Sequence, residues 1–223
     1  MSDKREKRFG DTIVIVPGFG DTPRMPWWGV LKRFLREEDS EVVIKPIDFS
    51  MGVKPPFMDK GKIKVPGTSI GSIKEYAEKL KDFLEKIDGE VDIIAHSLGG
   101  LVSRWYIEER GGDKKVDDLV TIATPHQGTH MAYIGFMTPA GREMIPGSEL
   151  LCKLNHKALP ENVNYTAVWS NFDHVFFQDW RSKLPENLVV LNSSARNVYV
   201  GDHDHHEMIV NKEVFHFYKN YIG

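Results

Sequence analysis

Residue 97 is a serine set between an apolar run and a helix-like stretch, in VDIIAHSLGGLVSRWYIEERGG (residues 91–112). The run VDIIA (91–95) reads as a buried strand. Residues 98–110 read as a helix closed by Gly111-Gly112. A serine at so sharp a change of direction needs small side chains two positions before and after it, and Ala95 and Gly99 supply them. Such a turn lifts the hydroxyl to the carboxyl edge of a sheet, where α/β proteins place ligands. It also aims the first free amides of the helix, beginning with Leu98 N–H, at the same spot. The pattern A-x-S-x-G on strand, turn and helix is that of a nucleophile with an oxyanion donor beside it. A serine that was only a helix N-cap would not need small residues on both sides.

A serine hydroxyl is too weak an acid to attack at neutral pH without a base and an acid to orient that base. Bases are available in NVYVGDHDHHEMIVNKEV (197–214), where His203, His205 and His206 are all candidates. Acids stand on loops after strands: Asp173 in YTAVWSNFDHVF (165–176) and, more weakly, Asp48. Taken alone, Asp173 reads as a turn aspartate and IVIVPGFGDTP (13–23) as a Gly-rich turn after a strand. The histidines also permit a metal reading with Asp202, Asp204 and Glu207, as do His126 and His130 in HQGTH. Neither segment has HExxH or another recognised ligand spacing, so no metal and no cofactor is expected.

The elements that would position these residues alternate. TIVIV (12–16), VVIKPI (42–47), VDIIA (91–95), DLVTIA (118–123), YTAVW (165–169) and NVYVG (197–201) read as strands. Trp28, Leu31, Phe34 and Leu35 give residues 27–38 helical periodicity. Ile73, Tyr76, Ala77, Leu80, Leu84 and Ile87 do the same for 70–87. Asn211 caps a last helix expected to bury Val214, Phe217, Tyr218 and Tyr221. The fold class is therefore α/β, with a mostly parallel sheet of about six strands flanked by helices. Residues 1–10 read as a tail and 50–68 as a loop. The Gly/Pro-punctuated stretch 124–163 is a candidate cap insertion on a single domain spanning 1–223.

At this point AHSLGG after VDII resembles the nucleophile elbow of α/β-hydrolase lipases, most of all the small Bacillus-type lipases and esterases, whose elbow also begins with Ala. The resemblance runs from about residue 12 to residue 221. It implies that Pro17-Gly18-Phe19-Gly20 stands where the family has His-Gly-x-Gly, so that Phe19 N–H is the second oxyanion donor beside Leu98. Pro17 in place of His is the one departure. The resemblance also implies that Asp173 is the triad acid. Aligning Val214 with the family's last helix selects His205 as the base, ahead of His206 and His203. The implied activity is a serine carboxylic-ester hydrolase working through Ser97, His205 and Asp173 and an acyl-enzyme. ATPHQGT (123–129) is similar to the GTPHxG-type segment of many lipases, and SELLCKLN (148–155) to the short helix of their insertions.

The expected substrate is a small-molecule or lipid ester with an apolar acyl group. Trp27, Trp28, Met131, Tyr133 and Phe136 are the expected lining, and residues 130–155 a mobile cap. Thioesters, phospholipids and acyl transfer lie within the same chemistry. The rivals are a metallohydrolase and a catalytically silent binding protein on the same fold. The 223 residues are 41% hydrophobic and 27% charged with a net charge of -3, and no basic stripe is interleaved with aromatics, which excludes nucleic acid as a partner. No apolar run approaches a membrane span, although transient contact with a lipid surface is compatible with a lipase. Cys152 is the sole cysteine, so no internal disulfide forms. Its setting reads as the buried face of a short helix, and a cytoplasmic, reducing location is expected.

Overall fold

The computed structural model describes residues 12–49, 57–59, 62–64, 71–133, 138–171 and 179–223. Six strands form one sheet: β1 (Thr12–Val16), β2 (Val43–Pro46), β5 (Val91–His96), β6 (Val116–Ile122), β7 (Asn164–Trp169) and β8 (Ala195–Tyr199). Their order is β2-β1-β5-β6-β7-β8, and every neighbouring pair is parallel. A parallel sheet needs a crossover between successive strands and cover on both faces. The period-2 alternation of β1 divides the core accordingly. Ile13 and Ile15 pack with Trp28, Leu31, Phe34 and Leu35 of α1 (Pro26–Glu38). That layer also holds Met208 and Ile209 of α7 (Glu207–Val210) and Val214, Phe215 and Tyr218 of α8 (Lys212–Tyr218). Val14 and Val16 face the opposite layer, built by α2 (Ile73–Leu84), α3 (Leu98–Glu109), α4 (Pro139–Glu143) and α5 (Glu149–His156).

Local chemistry agrees with the helix boundaries. Ser72 and Glu75 form a reciprocal capping box at the start of α2, a device worth about 1 kcal/mol. Asn211 Oδ1 accepts from Glu213 N at 2.8 Å and caps α8. A short helix α6 (Glu186–Leu191) precedes β8.

Several expectations shift. The 50–68 loop contains a two-stranded antiparallel hairpin, β3 (Phe57–Asp59) and β4 (Lys62–Lys64); three-residue strands are too short to show periodicity. Phe217 is exposed while Phe215 is buried, because 214, 215 and 218 share one helical face and 217 lies across it. Cys152 is likewise exposed: α5 buries Leu150, Leu151 and Leu154, leaving Cys152 on the outer side. The last strand is Ala195–Tyr199, two residues earlier than the sequence pattern suggests, and the fourth is Val116–Ile122. Within 124–163 the structure places a 3-10 turn (His130–Tyr133), α4 and α5. No helix among the described residues is long and apolar enough to cross a membrane.

Candidate active site

β5 delivers Ser97 to the carboxyl edge of the sheet and α3 leaves at once. The backbone at Ser97 has φ 52° and ψ −125°, a left-handed conformation forced on a residue with a side chain. Its N–H donates to the Ile122 carbonyl at 2.9 Å, which binds the turn to β6. Ser97 is 7% exposed.

The neighbouring glycines explain why this turn tolerates no bulk. A methyl group at Gly99 would lie 2.4 Å from the Val16 carbonyl oxygen and 2.6 Å from that of Pro17, so the first turn of α3 rests directly on the end of β1. A methyl at Gly18 would lie 3.0 Å from Ser97 Cβ and 3.3 Å from His96 Nδ1. The loop of Pro17, Gly18 and Phe19 therefore touches the serine turn. Leu98 is the first residue of α3, where backbone N–H groups have no intrahelical acceptor. Phe19 itself projects outward, 45% exposed.

The three candidate histidines occupy different environments. His205 is 4% exposed, and its ring centroid lies 4.4 Å from that of His96, the residue before Ser97. Burial, reinforced by His206, lowers its pKa to about 3. His206 is exposed and packs 4.8 Å from the Trp27 ring. His203 Nδ1 lies 3.1 Å from Glu207 Oε1. Ser170, at the end of β7, braces this loop by accepting from His203 N at 2.8 Å and donating to His203 O at 2.7 Å. Asp204 Oδ1 accepts from the N–H groups of His206 and Glu207. Asp173, expected three residues after Ser170, lies outside the described residues.

Of the expected lining, Trp28 is fully buried with its ring centroid 6.1 Å from that of His96 at an interplanar angle of 73°, and Trp27 is half-buried. Met131 and Tyr133 belong to the 3-10 turn but their side chains, like all of Phe136, lie outside the described residues. Two residues that sequence reasoning missed stand close by. Asp21 Oδ2 accepts from the indoles of Trp27 and Trp28, each at 3.0 Å, and Oδ1 from Thr22 N, so it ties the loop after β1 to α1. Burial raises its pKa against the lowering effect of those hydrogen bonds. The other is His96, whose imidazole sits between the serine turn and His205. The sequence shows the His-Ser pair but nothing that distinguishes a buried positioning histidine from a core one.

The model of the palmitoyl protein thioesterase family matches residues 12–214. Triacylglycerol lipase 2 of Saccharomyces cerevisiae is 36% identical over 100 residues, which is 39% of this chain but only 30% of the yeast protein. The mature form of lipase BlEst2 from Bacillus licheniformis superposes with a TM-score of 0.69 at 14% identity, covering 96% of this chain and 93% of the lipase. Alpha/beta hydrolase domain-containing protein 10 from mouse gives 0.60 at 14% identity over 96% and 88% of the two chains. Carboxylesterase CesB from Bacillus subtilis gives 0.56 at 14% identity over 93% and 83%. At these identities the three structures establish the α/β-hydrolase fold.

Proposed function

The chain belongs to the palmitoyl protein thioesterase family of lipase- and esterase-like α/β-hydrolases, and from that premise we propose a serine ester hydrolase that uses Ser97, His205 and Asp173. The observation that carries the reading is the strained, buried turn at Ser97, wedged between the Gly18 loop and the first turn of α3. Strain of this kind is retained where a side chain has to be held in one direction.

In the proposed reaction Ser97 Oγ attacks the acyl carbon while His205 removes its proton. The N–H groups of Phe19 and Leu98 bind the oxyanion, each contributing about 3 kcal/mol to the transition state. His205 then returns the proton to the departing alkoxide or thiolate, and water resolves the acyl-enzyme by the same steps in reverse. An imidazole held down to a pKa of about 3 by burial is a poor proton acceptor. An ionised carboxylate on its other nitrogen would raise that pKa, and this is the role proposed for Asp173. The substrate proposed is an apolar acyl ester or thioester, with Trp27, Trp28, Met131, Tyr133, Phe136 and the 124–163 insertion around the acyl chain.

The test is hydrolysis of p-nitrophenyl esters and matched S-acyl thioesters from acetyl to palmitoyl by wild type and Ser97→Ala, with EDTA in parallel. Turnover by wild type alone, unaffected by EDTA, supports the reading, and the chain-length profile assigns the acyl class. Equal silence of both toward all substrates favours a binding protein. Equal turnover stopped by EDTA favours a metal site.

A further inference from the structure

His96 ends β5 and is joined by its peptide bond to Ser97, yet its ring reaches the other catalytic loops. Its Nε2 lies 3.1 Å from the carbonyl oxygen of His205. A carbonyl only accepts, so Nε2 carries the proton and donates it. Nδ1 is then the bare nitrogen. It is buried, has no hydrogen-bond partner among the described residues, and lies 3.3 Å from where a methyl on Gly18 would fall. One imidazole thus touches the serine turn through the chain, the oxyanion loop at Gly18 and the base loop at His205. The His205 and His206 ring centroids are 4.4 Å and 5.8 Å away, and Trp28 closes the remaining side at 6.1 Å.

Resting on the triad reading above, we infer that His96 is a positioning residue whose Nε2–H, given to the His205 carbonyl, fixes the base against the serine turn. Packing alone does not account for a histidine here, because an apolar side chain would fill the space without leaving a buried lone pair unsatisfied. The donor is also constant through turnover. Burial first, and then the charges of His205 and His206, hold His96 well below the ordinary histidine pKa, so it stays neutral when His205 gains a proton. A second cation does not build up beside the imidazolium. Since the bond ends on backbone, it sets where the base stands without itself occupying a ring nitrogen of His205.

His96→Phe keeps an aromatic ring but has no donor, and His96→Gln restores an N–H of similar reach. The expected result is a kcat about 10–100-fold lower for His96→Phe with KM within about twofold. His96→Gln should regain at least about tenfold of that loss while both variants keep the wild-type Tm within a few degrees. Unchanged kcat in His96→Phe, or an equal loss in both variants, would overturn the inference, as would losses that simply follow Tm. Nitrogen-15 spectra of the wild-type imidazoles at pH 7, with His96 assigned by its absence from His96→Gln, give a readout that needs neither activity nor a folded Phe variant. A proton on Nε2 is expected, and a proton on Nδ1 refutes the hydrogen bond. If wild type and Ser97→Ala are equally inactive toward every ester and thioester, the triad reading is what fails. The Nε2 signal then decides the hydrogen bond by itself.

Discussion

Ser97 holds φ at 52° although it bears a Cβ, and the structure around it enforces that conformation through the Ile122 carbonyl and the close approach of Gly18. Such strain costs about 1–3 kcal/mol in a residue with a side chain. Ser97→Ala removes the hydroxyl and keeps the strain, whereas Ser97→Gly removes both. Against this stands the extra freedom of glycine in the unfolded chain, about 0.4–1 kcal/mol. Ser97→Gly is therefore expected to be more stable than Ser97→Ala by about 1 kcal/mol, read from urea denaturation, with both inactive. Equal stabilities would mean that the turn is relaxed. The elbow was legible in the sequence because Ala95 and Gly99 flank the serine at the two positions where a strand-to-helix turn this sharp needs small side chains. The partners of Asp21 and His96 were not: Asp21 accepts from indoles six and seven residues on without any motif to mark the contact, and His96 reaches a carbonyl in a segment far along the chain.

α3 carries two sets of contacts that decide how well the elements around the site hold together. At its start, Gly99 lies against the carbonyls of Val16 and Pro17. Gly99→Ala is expected to cost about 1–3 kcal/mol and to slow fluorophosphonate labelling of Ser97, because relief requires α3 and the Pro17–Phe19 loop, the proposed oxyanion loop, to part. A wild-type labelling rate would show that the loop does not depend on that approach. Further along, the fully buried Arg104 donates to Glu108 at 2.7 Å, to the Leu154 carbonyl at 2.7 Å and to Asn155 Oδ1 at 3.1 Å. It also meets His126 Nδ1 at 3.3 Å, while His126 Nε2 donates to Thr121 Oγ1 at 2.9 Å. The network ties α5 to α3 and β6. Arg104→Met is expected to cost about 3–5 kcal/mol by stranding Glu108, and adding Glu108→Leu to recover most of it. If the double variant is no better than the single, the carboxylate is not what suffers. Helix positions were readable from the 3.6-residue period of long elements such as α2. Phase failed in α5 and α8, where short helices contain more apolar residues than one face can bury, as at Cys152 and Phe217.

Across the whole molecule, a mostly parallel sheet of about six strands was legible because short apolar runs alternate with helical stretches of about one crossover, whereas the order of the strands was not. The hairpin within 50–68 was not, since it contributes nothing to that alternation. Housing polar groups inside such a sheet has a consequence for pH. His96, His126 and His205 are all held neutral, primarily by burial. The unfolded chain protonates each of them below about pH 6.5. It then binds more protons than the folded chain, so the stability they contribute is complete above that pH and is lost as pH falls. Asp21, Glu108, Asp118 and Glu143 act in the opposite sense. Burial raises their pKa values, so they favour the folded chain in acid and lose that effect as pH rises. Comparing one variant with wild type isolates a single imidazole from this mixture. His126→Gln removes a ring that cannot protonate in place without placing a cation beside Arg104. Wild type should be the more stable at pH 7.5. The gap should then narrow on acidification by about 1.4 kcal/mol per pH unit below 6.5 while the buried ring stays neutral. Urea titrations of both proteins at half-unit steps from pH 7.5 to 5 measure it. A constant gap would mean that His126 takes up its proton inside the fold, and that the Arg104 network rearranges to admit it.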